Sequence, residues 1–527
     1  MEETTEKAIE SKIEKKKGIK EKIKFWFKDS YNIILIGIII FAIAIRVYYF
    51  PITQKQGLWW DESEYLSTAA TWSGQYNWWQ PLILRPPLFP LIMTGFFYFG
   101  IEEIGTRILV FLLSIFSILL VYLIGKLFFN REIGLMAAAM LSFFWSFLFY
   151  TFRLLTDVPL TFLLLSTIYL FFSAYYGKGE KWRFILGGIF LTLSFLMKFS
   201  TGILIIGLGF YVLVTERKNL LSLRKNLGIY LFFLSSLITV LPFFVWQKIQ
   251  FGNYLAFFNS AIDRNPQRTF FESLKDQTIF SLSVTHSVIY SFFLIGMIIL
   301  LFNLILRYHL IFKKEDASNK YLFLFIWIVF SLLFFGKFNY GEYMEERYYF
   351  VFYPAIFLIT SYSLYSLYTI LKKYGKILSI LVLSFLILVS GFQNISYADD
   401  LIKIKTESFK YIRSAGEWIR DNSNQGDNIL TTDESTSYFY FSRRNIIAVN
   451  NLSHLEELIN STKPKYVVIS FYYAPNFNNQ YFIELVNKVF NENQRFKMVK
   501  SFGPTIDAKG KIPIVSIFEI NSSWDGS

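Results

Sequence analysis

Acidic and basic side chains recur at the ends of long apolar segments of this sequence. Asp61 and Glu62 follow the first apolar run, and Arg85 precedes the second one, just before two prolines. Arg153 and Asp157 lie four residues apart between two later apolar runs. Ionisable groups between apolar runs indicate a functional site by default. Carboxylates can act as general bases, and guanidinium groups beside them can bind a phosphate.

Each of these positions also has a simple structural interpretation. An acid at the start of a helix interacts favourably with the helix dipole. Arg153 and Asp157 would form an ordinary ion pair if they lay on one helical turn. A lone cation near a helix end reaches the membrane interface with its side chain, and this is the better interpretation for Arg46. The functional interpretation is favoured because the acids and cations share one predicted side of the membrane.

Two further cations fall at the same predicted level, and they strengthen the functional interpretation. Lys198 ends the run Phe-Leu-Met-Lys, and Arg347 follows two glutamates at the start of an apolar run. These cations gather on the side of the membrane that has fewer positive charges overall, which interfacial anchoring explains poorly. Several cations near a few carboxylates suit a phosphate bound beside a general base.

The elements that must position these residues are membrane-spanning helices. The chain has 527 residues, of which 54% are hydrophobic and only 17% are charged, a composition too apolar for a soluble globular protein. Apolar runs near twenty residues recur, and we predict about eleven spans in a polytopic α-helical membrane protein. The spans are predicted at 31–50, 107–128, 133–151, 158–176, 184–199, 201–215, 227–247, 286–306, 321–336, 348–371 and 377–393.

The distribution of positive charge predicts the orientation in a cell membrane. The net charge is +13, and residues 1–30 are rich in lysine. We interpret them as a cytoplasmic tail rather than a nucleic-acid-binding arm, because basic segments stay on the cytoplasmic side and bind anionic lipid. The other basic connections are 177–183, 216–226, 307–320 and 372–376. An odd number of spans then places the C-terminal region outside.

The sequence changes character in residues 394–527, where β-rich runs alternate with helix-like segments. This alternation is typical of a small α/β domain. Strands are predicted at 428–432, 446–449, 466–470 and 514–518, and helices at 408–421, 453–461 and 480–493. Asn-x-Ser/Thr triplets at Asn394, Asn451, Asn460 and Asn521 fit an outside location. Residues 31–393 would form the membrane domain, with a first outer loop at 51–106.

A known family shares the order of these motifs. Trp60-Asp61-Glu62 after the first span, Arg85-Pro86-Pro87 before the second and Arg153-Leu-Leu-Thr-Asp157 before the fourth resemble the GT-C glycosyltransferases. The most similar groups are the protein O-mannosyltransferases and the lipid A aminoarabinose transferases, in glycosyltransferase family 39 and its relatives. The resemblance covers residues 31–371, and the segments around Lys198 and Arg347-Tyr348 extend it.

The resemblance implies a GT-C fold and a reaction on the outer side of the membrane. A sugar would pass from a dolichyl- or undecaprenyl-phosphate-linked donor to a protein, lipid or glycan acceptor, with no nucleic-acid partner. Asp61 would act as the base, with Glu62 or Asp157 positioning it. The implied ligands of the donor phosphate are Arg85, Arg153, Lys198, Arg347 and Tyr348. Direct attack would invert the anomeric centre, since no second nucleophile is evident.

The alternative function is a polyprenyl-linked sugar flippase or another multispanning transporter. Transporters place intramembrane charges near the midplane and show paired halves, whereas these charges lie at one interface. The absence of cysteine excludes a thiol nucleophile. His286 with Glu62 or Asp157 is only a weak metal-ligand set, and an interfacial histidine is favoured. The sequence therefore indicates no certain cofactor and leaves a divalent cation open.

Overall fold

A computed structural model describes residues 26–75, 85–177, 179–218, 222–262, 269–273, 275–276, 284–314, 316–337, 345–432, 436–449, 451–472, 480–505 and 513–521. The chain forms two units. The first contains Met1–Tyr48, Val110–Thr151 and Thr156–Ala398. The second contains Tyr49–Leu109, Phe152–Leu155 and Asp399–Ser527, so the first outer loop and the C-terminal region belong to one unit. Residues 1–25 of the predicted tail lie outside the described residues.

Helices make up the described chain as far as residue 406. Their bounds are α1 Ser30–Thr53, α2 Trp60–Trp72, α3 Leu88–Tyr98, α4 Glu102–Phe128, α5 Arg131–Phe143, α6 Trp145–Tyr150, α7 Asp157–Tyr175 and α8 Lys181–Met197. Those that follow are α9 Gly202–Thr215, α10 Leu223–Phe251, α11 Ala256–Ile262, α12 His286–Leu306, α13 Ala317–Lys337, α14 Tyr353–Leu371 and α15 Lys376–Thr406.

The predicted helical membrane architecture is confirmed, and its span count stays a prediction. Within the described residues, eight helical segments are long and apolar enough to cross a membrane. The three remaining predicted spans are also helical, but each of their helices has fewer than 18 residues. Residues 133–151 form the two helices α5 and α6, while α8 and α9 have 17 and 14 residues.

The interruption between α5 and α6 has a clear physical cause inside the first unit. Phe144 leaves the helical conformation, with ψ at 120°. The Trp145 N–H donates to the side-chain oxygen of Asn394 at 3.2 Å, and the Arg46 guanidinium donates to the Ser142 carbonyl at 3.1 Å. Side chains that enter the hydrogen-bond ladder break a helix in this way. Arg46 is fully buried here, so the prediction of an interfacial arginine is wrong.

The C-terminal residues form a five-stranded sheet in the order β2-β1-β3-β5-β4. The helices and strands of this C-terminal domain are α16 Lys410–Asn422, β1 Asn428–Thr431, α17 Thr436–Ser442, β2 Asn445–Ala448, α18 Leu452–Thr462, β3 Tyr466–Ser470, α19 Gln480–Asn491, β4 Phe496–Thr505 and β5 Pro513–Ile520. Strand β1 is parallel to β2 and β3, whereas β5 is antiparallel to β3 and β4.

Alternate strand residues serve two hydrophobic cores, one on each face of this sheet. Leu430 and Val467 pack with Leu455 and Leu485 of α18 and α19. Their chain neighbours Ile429 and Val468 pack on the opposite face, with residues of α16 and α17. Successive side chains of a strand point to opposite faces, which explains the two cores. The predicted C-terminal α/β domain is therefore confirmed.

Two elements of this domain were not predicted. Strand β4 is an edge strand whose residues are mostly exposed, so its sequence lacks a hydrophobic run. Helix α17 is fully buried and rich in aromatic residues, which favour strands. Asn394 is buried in α15 and bonded to Trp145, so it is unsuitable as a glycan acceptor.

Candidate functional sites

Helix α2 carries the first group of candidate residues and is unusual because it is polar yet enclosed. Its residues 62–70 are all buried, including Glu62 and Glu64. Buried acids need partners, since burial of an unpaired charge is costly. Helix α3 covers part of α2, with the rings of Tyr65 and Phe89 5.6 Å apart. A buried polar helix of this kind is typical of a functional site.

Arg85 joins two acids that lie one helical turn apart on α2. Its Nη2 atom is 2.6 Å from Asp61 Oδ1, and its Nε atom donates to Glu64 Oε2 at 2.6 Å. The prolines at 86 and 87 keep this segment out of the helix, so α3 begins only at Leu88. The Asp61 side chain is 16% exposed, whereas that of Glu64 is 1% exposed. Asp61 is therefore the acid of this pair that is partly open to solvent.

Glu64 was missed by the sequence analysis. Its spacing of three from Asp61 on a helix was the available signal. Burial raises the pKa of the Glu64 carboxyl above its ordinary value of 4.5, although Arg85 opposes this shift. Burial by itself would lower the pKa of Arg85, but Tyr65, Asp61 and Glu64 together raise it. Arg85 is thus firmly charged and holds both acids in place.

Glu62 and Arg153 form a second ion pair in the same unit, and this pair is sealed from solvent. Their side chains are 0% and 1% exposed. Glu62 also accepts hydrogen bonds from the backbone N–H groups of Trp59 and Leu154, each at 2.6 Å. The Arg153 guanidinium lies over the Trp59 ring at 4.1 Å. Glu62 therefore caps the first turn of α2 and links residues 152–155 to this turn.

The remaining candidates belong to the first unit, at helix ends. Asp157 begins α7, and Lys198 lies in extended backbone directly after α8. Lys198 Nζ is 2.5 Å from Asp157 Oδ1 and 5.1 Å from the centre of the Tyr348 ring. The Asp157 side chain is buried, and its Oδ2 atom makes no hydrogen bond with the described residues.

A 3₁₀ turn at Glu346–Val351 brings Arg347 and Tyr348 to this group. Arg347 forms an ion pair with Glu345, and the Tyr150 hydroxyl donates to Glu346 at 2.9 Å. The turn precedes α14, whose first turn contains a proline. Two cations, a phenol and the buried acid Asp157 thus lie together in the first unit.

The structure therefore sorts the candidates into two groups. Asp61, Glu62, Arg85 and Arg153 lie in the second unit, and Asp157, Lys198, Arg347 and Tyr348 lie in the first. The convergence of Asp61 and Asp157 in one pocket stays a prediction. Arg153 and Asp157 do not share a helical turn, because α7 begins only at Asp157.

His286, which the sequence analysis considered as a metal ligand, packs against an aromatic ring. The ring centre of His286 lies 5.5 Å from that of Tyr397. Among the described residues, no group of three or more histidines, cysteines and acids could hold a metal ion.

Two sequence comparisons each match a part of this chain. Residues 84–246 match the family model of the dolichyl-phosphate-mannose-protein mannosyltransferases. A protein of Aquifex aeolicus (strain VF5), described as uncharacterised, is 29% identical over 160 residues. That match spans 29% of this chain and only 31% of the Aquifex protein.

Solved structures resemble the chain over most of its length. ArnT from Cupriavidus metallidurans bound to undecaprenyl phosphate gives a TM-score of 0.59 at 13% identity, covering 92% of this chain and 98% of ArnT. The oligosaccharyltransferase AglB from Archaeoglobus fulgidus, in complex with an inhibitory peptide and a dolichol-phosphate, gives 0.56 at 13% identity. That match covers 84% of this chain and 70% of AglB. The protein thus has the GT-C fold of a multi-pass membrane protein, with a small C-terminal sheet domain.

Proposed function

We propose that this protein is an integral membrane glycosyltransferase that moves a sugar from a polyprenyl-phosphate-linked donor to an acceptor hydroxyl. A shared fold does not by itself assign a reaction, so the proposal depends on the site. The observation that carries it is Asp61, a partly exposed carboxylate held by Arg85 at the start of a helix whose residues 62–70 are all buried. The solved complexes of ArnT and AglB with polyprenyl phosphates support the choice of donor.

In the proposed step, Asp61 takes the proton of the acceptor hydroxyl while the hydroxyl oxygen attacks the anomeric carbon of the donor. The bond from the anomeric carbon to the phosphate oxygen breaks, and polyprenyl phosphate leaves with the electron pair. One direct displacement inverts the anomeric centre. A product that retains the donor configuration would contradict this step.

The contacts suggest a division of labour among the other candidates. Arg85 orients Asp61, because it already binds two carboxylates. Glu62 and Arg153 position the start of α2, because both are enclosed and paired with each other. Lys198, Arg347 and Tyr348 bind the donor phosphate, and Asp157 holds Lys198 in place. Fixed cations that stabilise a departing phosphate are a large contribution to catalysis.

We further propose that the N-terminus is cytoplasmic and that the sheet domain lies outside the cell membrane. The basic connections support this orientation. Because the chain has no cysteine, Lys373→Cys and Ser461→Cys would each introduce a single thiol at an exposed position. A membrane-impermeant maleimide should label intact cells at position 461 and leave position 373 unlabelled. The reverse labelling would refute the orientation.

The proposed activity is tested with purified protein, labelled polyprenyl-phosphate sugars and candidate protein, lipid and glycan acceptors. Mass spectrometry should detect a glycosidic product. Asp61→Asn should reduce turnover about 10²–10⁴-fold, the usual contribution of positioned proton transfer. Asp421→Asn is the matched control, since Asp421 is 64% exposed at the end of α16. Repeating the assay with a chelator tests for a divalent cation. Movement of the lipid without a glycosidic product would favour the flippase.

A further inference from the structure

We propose that the C-terminal sheet domain fixes the position of Asp61 by holding the first turn of α2, with Thr436, Ser437 and Arg413 as positioning residues. This inference rests on the proposed function of Asp61. It assigns a role to the domain itself, which no motif in the sequence explains. All contacts that carry it lie within the second unit.

Two hydroxyl groups of α17 bind the backbone around Asp61. Thr436 Oγ1 donates to the Trp60 carbonyl at 3.1 Å, and Ser437 Oγ donates to the Leu58 carbonyl at 3.1 Å. Thr436 Oγ1 is also hydrogen-bonded to Ser63 Oγ. All residues of α17 are buried, so water does not replace these bonds. The chain immediately before and after Asp61 is thereby tied to the sheet domain.

A guanidinium from α16 ties the preceding residues to the same domain. Arg413 Nη1 donates to the Gln56 carbonyl at 3.2 Å and to Glu103 Oε1 at 3.1 Å. Its Nε atom donates to Glu417 Oε1 at 3.0 Å, which fixes the direction of the side chain. Charge-assisted hydrogen bonds of this kind are about twice as strong as neutral ones.

Close backbone contact at Gly57 completes the attachment. A Cβ atom at position 57 would lie 2.4 Å from the carbonyl carbon of Phe409 and 2.7 Å from the carbonyl oxygen of Ser408. No residue other than glycine fits at this distance. Phe409 itself has a φ of 58°, a left-handed conformation that is rare for a bulky residue. The start of α2 and the start of α16 are therefore built against each other.

These contacts have a consequence for catalysis. Asp61 Oδ1 is held by Arg85, but the backbone that carries Asp61 is held by the sheet domain. Displacement of a catalytic group by about 1 Å can cost 10²-fold in rate. Loosening the domain contacts should therefore lower kcat and leave the KM for the donor nearly unchanged, because the proposed ligands of the donor phosphate, Lys198, Arg347 and Tyr348, belong to the first unit.

The test compares Thr436→Val, Thr436→Ser and Thr462→Val in the full-length protein. Thr436→Val keeps the side-chain shape and removes the hydroxyl, and Thr436→Ser restores the hydroxyl. Thr462→Val is the matched control, because the Thr462 hydroxyl bonds, among the residues that the structure describes, only Leu458 of its own helix α18. Hydrogen–deuterium exchange of the peptide covering residues 58–66 reports the attachment, and transfer kinetics report its consequence.

We expect Thr436→Val to speed exchange in residues 58–66 about 3- to 10-fold, the equivalent of one lost hydrogen bond. We expect its kcat to fall about 10-fold at unchanged donor KM, with recovery in Thr436→Ser. Unchanged exchange in Thr436→Val would overturn the inference whatever the activity. Faster exchange with an unaltered kcat would also overturn it. If the wild-type protein transfers no sugar, the proposed function fails, and the proposed effect on catalysis fails with it. The exchange measurement alone then decides whether the sheet domain holds α2.

Discussion

Replacing Glu62 with glutamine should destabilise the first outer loop far more than a surface substitution does. Arg153 would stay charged and enclosed while losing its carboxylate partner. Glu62 also accepts two backbone hydrogen bonds, from Trp59 and Leu154. A glutamine amide accepts only through its single oxygen, and its NH₂ group would compete with the guanidinium for space.

The expected cost follows from these lost contacts. Removing one partner of a buried ion pair costs about 3–5 kcal/mol. Loss of one of the two backbone hydrogen bonds adds about 1 kcal/mol. We therefore expect a cost of about 4–6 kcal/mol for Glu62→Gln. The double variant Glu62→Gln with Arg153→Met should cost less, because no buried guanidinium then lacks its carboxylate.

Hydrogen–deuterium exchange of residues 56–66 measures this cost locally in detergent-solubilised protein. About 4 kcal/mol corresponds to roughly 10³-fold faster exchange if the loop opens locally. Glu407→Gln is the matched control, because Glu407 is 64% exposed and its ion pair with Lys410 lies at the surface. An exposed pair of this kind contributes about 0–1 kcal/mol.

Two results would refute this reasoning. Residues 56–66 could exchange no faster in Glu62→Gln than in Glu407→Gln, which would mean that the Glu62–Arg153 ion pair does not stabilise the first outer loop. Alternatively, the double variant could exchange faster than Glu62→Gln, which would mean that the buried Arg153 charge is not destabilising when its carboxylate is lost. A double variant that regains stability and part of its activity would instead identify Glu62 as a positioning residue.

Three further predictions concern other charged residues. Lys198→Met should raise the donor KM about tenfold or more, with partial recovery in Lys198→Arg, because it removes a proposed ligand of the donor phosphate and the ion-pair partner of Asp157. An unchanged KM would contradict the proposed role of Lys198. Burial raises the pKa of Glu64, so the stability that Glu64 contributes is present below about pH 4.5 and declines as the pH rises through the raised value. The melting temperature of Glu64→Gln minus that of the wild-type protein should therefore increase from about pH 4 to about pH 8. A difference that stays constant over this range would contradict the pKa shift. Arg46→Lys should lower the melting temperature more than Arg46→Met does, because lysine keeps a buried charge but loses the planar fork of donors; the opposite order would contradict that account.

The apolar runs were sufficient to predict the helices of the membrane domain. For example, α12 has the predicted bounds, 286–306. Length and composition are local properties, and a run near twenty apolar residues has few alternatives to a helix in lipid. The sequence did not predict the break at Phe144. Its cause is a pair of side chains, Arg46 and Asn394, that lie 96 and 249 residues away from their partners in the chain.

The sheet domain was predicted where its strands are buried and missed where they are not. Strand β3 reads as a continuous apolar run, and all of its residues are buried. Strand β4 lies at the edge and is mostly exposed, so hydrophobic patterning carries no signal there. Helix α17 has strand-like aromatic composition, and only its surroundings make it helical.

Residue types and their places at helix ends, which the sequence shows, were enough to select Asp61, Arg85, Asp157 and Lys198 as candidates. The pairing of acids with cations required the folded chain. Arg85 binds Glu64 as well as Asp61, and Arg153 binds Glu62 across 91 residues of sequence. An ion pair depends on distance and burial, and both are properties of the assembled fold rather than of chain order. The same physics separates the enclosed Glu62 from the partly exposed Asp61, although the two are neighbours in the sequence.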